Sequence, residues 1–162
     1  MKKGDIILFD YDNLITGKWK LLNKLVKKFD GDINHAALYY GGGYVIESWD
    51  GIGVRKRKLW KQEKYEAYRV KNIVVDKEIE EYFEETKGMR YSWKDWINTG
   101  ITKVIHKITG RYVKILKNDK KGFICSEYVN NFFIVSYNID LCDFTKLESP
   151  NDLKKSNKIE KV

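Results

Sequence analysis

Asn34-His35-Ala36-Ala37-Leu38-Tyr39-Tyr40 and Tyr44-Val45-Ile46-Glu47-Ser48-Trp49 are two runs of aromatic, β-branched and small residues separated by Gly41-Gly42-Gly43. Runs of this kind around a glycine turn predict a β-hairpin, because glycine reaches the positive φ values that tight strand connections demand. Working outward, Gly4 to Phe9 is a short apolar run that reads as a first strand, and Gly53 to Leu59 and Tyr65 to Val70 read as further strands. These strands do not alternate regularly with helices, so the expected sheet is small, mostly antiparallel and confined to the first half of the chain.

Helical spacing surrounds the strands. Leu21, Leu22, Leu25, Val26 and Phe29 share one face of a segment whose other positions carry Lys18, Lys20, Lys24, Lys27 and Lys28. This is an amphipathic helix, read as packing on a core rather than lying on a membrane. Asp30-Gly31-Asp32 follows as a loop. Asp76 is placed to cap a helix bearing Ile79, Tyr82 and Phe83, and Gly88 to end it. Trp93, Trp96, Ile97, Ile101, Val104, Ile105 and Ile108 recur at helical spacing up to Gly110 and predict a buried central helix. Phe123 to Val135 reads as another helix, although its aromatic content would also suit a strand, and the polar tail beyond Pro150 is expected to fray. The chain has 162 residues and neither repeat nor linker, so the reading is one α+β domain over 1–162, a sheet packed against helices.

Composition narrows the class of protein. Apolar residues make up 43% and aromatics 14%, with a single proline, which excludes disordered and collagen-like chains. The 31 Lys and Arg outnumber the 23 Asp and Glu by 8, favouring anionic surroundings such as nucleic acid, cell-wall polymer or membrane headgroups, although the basic residues are spread along the whole chain. Two cysteines cannot build a disulfide framework, and with two histidines they offer no zinc spacing, so no metal or cofactor is expected. The apolar run Ile6 to Phe9 is too short for a signal-peptide core and no transmembrane stretch is visible, which predicts a cytoplasmic protein, with later release by lysis left open.

Two side chains suggest chemistry. Cys125 stands where the polar loop Lys117 to Gly122 gives way to Phe123-Ile124-Cys125-Ser126-Glu127-Tyr128-Val129. A helix starting there would present free N–H groups and the positive end of its dipole to the sulfur, favouring a nucleophilic thiolate. His35, at the start of an apolar strand and beside small residues, is the candidate base. Glu47, across the glycine turn, is the candidate to orient it. If Tyr40 pairs with Tyr44, Ala37 faces Glu47 and His35 is Glu47's diagonal neighbour, roughly 7–8 Å away and within reach of the two side chains. A slip of one residue would put Glu47 on the opposite face.

Gly4-Asp5-Ile6-Ile7-Leu8, Asn34 to Tyr39 with Gly43 to Ser48, and Phe123 to Val129 together resemble the permuted, YiiX-like branch of the NlpC-type papain-like hydrolases, relatives of the lecithin retinol acyltransferase group. Gly88-Met89-Arg90-Tyr91-Ser92-Trp93 resembles that family's segment before the central helix. The resemblance implies a circularly permuted papain-like fold, with Cys125 as nucleophile, His35 as general base and then acid, and Glu47 as the orienting residue. It further implies an acyl-enzyme formed on an amide, ester or thioester, with cell-wall peptides or lipid-linked amides as the substrate class. Backbone N–H groups near Cys125 would serve as oxyanion donors, and Tyr91 is a possible substrate-binding residue.

Two other readings compete. Asp10 and Asp12, at the end of a strand, superficially resemble the nucleophile loop of haloacid-dehalogenase-like phosphatases, with Asp140 and Asp143 as an imperfect magnesium pair and no parallel sheet to support them. Alternatively, the basic surface and dense Trp and Tyr suit a non-catalytic module binding nucleic acid or another anionic polymer, although no nucleic-acid motif is present and no specific nucleic-acid partner is expected. His106 reads as a surface residue and Cys142 as structural.

Overall fold

The computed structural model of the chain describes residues 1–11, 31–110, 121–142 and 149–162. In chain order its elements are β1 (Ile6–Phe9), β2 (His35–Gly41), β3 (Tyr44–Trp49), β4 (Gly53–Lys58), β5 (Tyr65–Val70), α1 (Glu78–Thr86), β6 (Arg90–Tyr91), α2 (Trp93–Thr109), β7 (Gly122–Phe123), α3 (Cys125–Tyr137), α4 (Pro150–Lys154) and β8 (Ile159–Lys161). All four residues of β1 are buried, which a strand achieves only when both faces of its sheet are covered and it has neighbours on either side. Accordingly β1 lies inside a six-stranded sheet of order β4-β3-β2-β1-β5-β8 whose pairs are all antiparallel. β6 and β7 form a separate short parallel pair.

Alternation along the strands makes two apolar layers. Ile6, Leu8, Ala36, Leu38 and Ile46 pack with Tyr128, Val129, Phe132 and Phe133 of α3. Ile7, Phe9, Ala37, Val45 and Ala67 form the opposite layer with Tyr11, Tyr39, Leu59 and Tyr65. The chain is α+β, as its sequence predicts, and its six-stranded sheet is antiparallel throughout.

The hairpin register holds by a different route from the expected one. Leu38 pairs with Ile46 and Tyr39 with Val45, but Tyr44 pairs with Gly41 and Tyr40 bulges out. The bulge absorbs one residue at the turn, so the register beyond it still sets Ala37 opposite Glu47. Gly41, Gly42 and Gly43 all have positive φ, at 106°, 60° and 82°. Gly53 matters for another reason, since a Cβ there would fall 2.1 Å from the Met89 carbonyl oxygen. That close approach lets Val54 N–H bond to Met89 at 2.8 Å and hangs the β6 segment on the edge of the sheet.

Three expectations are corrected. Asp76 does not cap α1: Lys77 takes the N-cap position, and the Asp76 carboxylate faces Lys3 Nζ at 3.4 Å, while Glu78, Glu80 and Glu81 supply the negative charge of the first turn. Gly88, with φ of 78°, does end the helix. The α2 stripe has helical spacing but is not core. Asp95, Asn98, Thr99, Gly100 and Thr102 are its buried positions, with Ser92 buried at its N-cap, the apolar residues are half-buried, and Ile108 is 73% exposed. Its packing contact is polar, for Lys103 Nζ bonds Ser149 Oγ at 2.6 Å and Asp152 Oδ2 at 2.5 Å. Finally, the tail does not fray. Ser149 caps α4 with Pro150 at its start, Leu153 is fully buried, and β8 adds to β5 with Val70 opposite Ile159. The lysine-rich helix expected around Leu21 to Phe29 lies outside the described residues.

Candidate active site

β2 carries His35 at its first position and buries it to 3% exposure. The ring is walled by Trp49 at 4.9 Å between centroids, Phe9 at 5.6 Å and Tyr11 at 6.0 Å, so packing restricts its orientation. β3 brings Glu47, fully buried, to the same face. His35 Nε2 lies 2.9 Å from Glu47 Oε2, a hydrogen bond in which the imidazole N–H donates to the carboxylate. Glu47 Oε1 accepts from Arg55 Nε at 2.9 Å and Arg57 Nε at 2.9 Å, with Arg55 Nη2 at 2.8 Å. Strand pairing places these arginines, since Arg55 is opposite Glu47 and Arg57 opposite Val45.

Cys125 is the first residue of α3 and is 6% exposed. Its sulfur lies close enough to His35 to influence the ionisation of the imidazole. Since Glu47 holds Nε2, Nδ1 is the ring nitrogen left for the sulfur. The turn that feeds Cys125 is tied down from three sides. Ser48 Oγ donates to the Phe123 carbonyl at 2.7 Å, Ser92 N–H donates to the same carbonyl at 3.1 Å, and Ile124 N–H donates to Glu127 Oε2 at 3.1 Å. Ser48 is adjacent to Glu47, so the strand that carries the carboxylate also anchors the helix that carries the thiol.

The electrostatics follow from this arrangement. Burial alone would push the His35 imidazolium down, but the charge of the Cys125 sulfur, its hydrogen bond and Glu47 outweigh it and raise His35 to about 9. Burial would likewise push Glu47 up, yet the hydrogen bond and charge of His35, joined by Arg57, hold it at about 2. An imidazolium at His35 beside an ionised Glu47 is the state these shifts favour.

Behind Glu47 lies a second set of charges. Arg57 Nη1 donates to Glu63 Oε2 at 2.9 Å and to the Lys58 carbonyl at 3.0 Å, and Nη2 donates to Tyr11 Oη at 2.8 Å. Tyr11 in turn donates to Glu63 Oε1 at 2.5 Å. Burial, the hydrogen bond to Glu63 and the charge of that carboxylate push the Tyr11 phenol well up, keeping it neutral despite Arg57. Two carboxylates, Glu47 and Glu63, thus face two guanidinia, Arg55 and Arg57, so the half-buried cluster carries no net charge of its own.

Of the residues singled out in the sequence, His35, Glu47 and Cys125 are brought together. Tyr91 is beside them: it is half-buried in β6, pairs in register with Phe123, and is pushed well above the usual phenol range by burial and then by the charge of Cys125. The phosphatase reading loses its supports. The sheet is antiparallel, Asp10 pairs with Lys64 at 2.9 Å, Asp140 accepts from Asn130 at 2.8 Å, and Asp12 and Asp143 lie outside the described residues. Cys142 is buried in the core layer beneath α3, as a structural cysteine would be, and His106 is half-buried rather than on the open surface. Sequence reasoning missed Trp49, Arg55, Arg57, Glu63 and Tyr11. A signal for two of them was present, because alternating Arg55-Lys56-Arg57-Lys58 in a strand puts both arginines on one face.

Among the described residues no helix is long and apolar enough to cross a membrane. No family model and no curated protein matches the chain. The crystal structure of the metalloprotein YiiX from Escherichia coli O157:H7 is similar, with a TM-score of 0.67, 14% sequence identity, and coverage of 99% of this chain and 96% of that one. At that identity the likeness concerns architecture: this chain has a YiiX-like α+β fold.

Proposed function

We propose that the chain is a cysteine hydrolase of the permuted NlpC-type papain-like kind, acting on amide or ester bonds through an acyl-thioester. The observation that carries this reading is the buried His35, held between the Cys125 sulfur and a Glu47 carboxylate that two arginines fix in place. In the reaction the Cys125 thiolate attacks the carbonyl carbon. The oxyanion takes its hydrogen bonds from N–H groups at the start of α3, where the first turn has no intrahelical acceptors. Collapse breaks the C–N or C–O bond, and His35 gives its Nδ1 proton to the departing amine or alcohol. Water then attacks the thioester, His35 takes a proton from it, and the carboxylate product leaves Cys125 as the thiolate. An alcohol or amine in place of water would make the same centre an acyltransferase.

The substrate class is the one the resemblance implies, cell-wall peptides or lipid-linked amides. The net charge of +8 favours anionic members of that class. The name of the structural neighbour speaks of a metal, but the described residues do not fit one. Among the described residues no three His, Cys, Asp or Glu side chains are grouped to hold an ion, and Glu47 gives both of its oxygens to His35, Arg55 and Arg57.

The test is the rate of Cys125 alkylation by iodoacetamide against pH, in a Cys142→Ser background, with and without His35→Ala. The expected result is fast alkylation at pH 6 to 7 that drops at least tenfold when His35 is removed. A Cys125 that is inert or indifferent to His35 rejects the hydrolase and leaves a basic, non-catalytic binding module as the better account.

A further inference from the structure

His35 is held by more than Glu47. Glu47 uses Oε2 for the imidazole, and Oε1 is shared by the two arginines. The arginines differ in what holds them. Arg55 is 27% exposed along its side chain, lies over the Trp49 ring at 4.5 Å, and bonds Glu47 alone. Arg57 is 15% exposed and every nitrogen is engaged: Nε with Glu47, Nη1 with Glu63 and the Lys58 carbonyl, Nη2 with the Tyr11 hydroxyl. Glu63 is itself fixed by the Trp60 N–H at 2.7 Å.

The Tyr11 ring closes a circuit. It stacks on Phe9 at 4.9 Å and 7° between planes, and both rings flank His35. A path therefore runs from His35 through Glu47 and Arg57 to Tyr11 and back to His35 by ring contact. The imidazole is gripped at Nε2 by hydrogen bonding and across its face by packing, and one guanidinium belongs to both grips. Only a planar fork with several donors can serve four acceptors at once, whereas a lysine offers a single point charge.

We propose that Arg57 is a positioning residue for the Cys125–His35 pair: through Glu47 and Tyr11 it sets the orientation of the His35 ring and keeps Glu47 a carboxylate. This inference rests on the proposed hydrolase reading. A residue that merely filled space beside the sheet would change stability when replaced, without altering how Cys125 reactivity depends on pH. A residue that keeps Glu47 ionised must alter it. Without the Arg57 charge the buried carboxylate takes up a proton at higher pH and then no longer holds His35 as an imidazolium.

The experiment is the same alkylation profile, measured for Arg57→Gln, Arg57→Lys and Tyr11→Phe in the Cys142→Ser protein, each checked for native unfolding behaviour. In Arg57→Gln the acid limb should move up by a pH unit or more. Arg57→Lys should bring the limb back towards wild type but leave the plateau rate several-fold low, because charge returns without the fork. Tyr11→Phe, which keeps the ring and removes one acceptor, should lower the plateau in the same sense and supplies the test if Arg57→Gln does not fold. Profiles that superimpose on wild type, while wild-type Cys125 still depends on His35, overturn the role of Arg57 alone. A wild-type Cys125 that ignores His35 overturns the hydrolase reading and this role with it.

Discussion

At the scale of single residues, the site is an exchange of charge inside a protected volume. Glu47 is fully buried, so its stability contribution depends on its partners. Glu47→Gln removes the charge that faces Arg55, Arg57 and His35, and breaking a buried ionic set in this way costs about 3 kcal/mol. Urea unfolding at pH 6 would read this as a lower midpoint with an unchanged slope. The same groups set a pH window. His35 stands at about 9 against an ordinary 6.5, so its contribution is complete below pH 6.5 and is lost as pH rises through about 9. Glu47 stands at about 2 against 4.5, so its contribution is complete above pH 4.5 and is lost as pH falls through about 2. Stability should therefore be greatest between about pH 4.5 and 6.5, and His35→Gln should flatten the alkaline side of the curve. His35, Glu47 and Cys125 were legible in the sequence because each is chemically conspicuous in its surroundings: a ring on an apolar strand, an acid across a turn, a thiol at a helix start. Arg57 and Glu63 were not, since charged side chains in a chain with 54 charged Asp, Glu, Lys and Arg look like surface until strand pairing assigns them a face.

At the scale of elements, the hairpin between β2 and β3 decides the site. Its bulge at Tyr40 keeps Glu47 on the face of His35. Gly41 has a φ of 106°, a conformation that costs a residue with a Cβ about 1–3 kcal/mol. Gly41→Val should lower the urea midpoint accordingly. If the strain is relieved by giving up the bulge, His35-dependent alkylation should fall by more than the stability loss explains, because Glu47 would leave its face. The strands and the ends of α1 and α2 at Gly88 and Gly110 were readable, as glycines and period-two runs report local geometry. The burial of α2 was not readable. Helical spacing identifies an apolar stripe but not which face the rest of the molecule covers, and here Asp95, Asn98 and Thr102 are covered instead.

For the whole molecule, the last residues complete what the first strands begin. Leu153 in α4 is fully buried in the layer that also holds α3, and Ile159 sits opposite Val70 on the far edge of the sheet. Leu153→Ala should cost about 2–5 kcal/mol, measurable as a matching loss in unfolding free energy, which a frayed tail would not show. The polar composition of the tail hid this. A five-residue helix and a three-residue strand are too short to display a period, and each is anchored by a single apolar side chain. The strand β4 has a further consequence. It is the outer strand on the side of the sheet that bears the site, and its sequence alternates Arg55 and Arg57, turned to Glu47, with exposed Lys56 and Lys58. Strand edges invite other chains to add on, and a dense row of cations discourages such docking. Within one strand, alternate side chains therefore serve two ends: the arginines hold Glu47 beside His35, and the lysines between them discourage neighbouring copies of the protein from adding on.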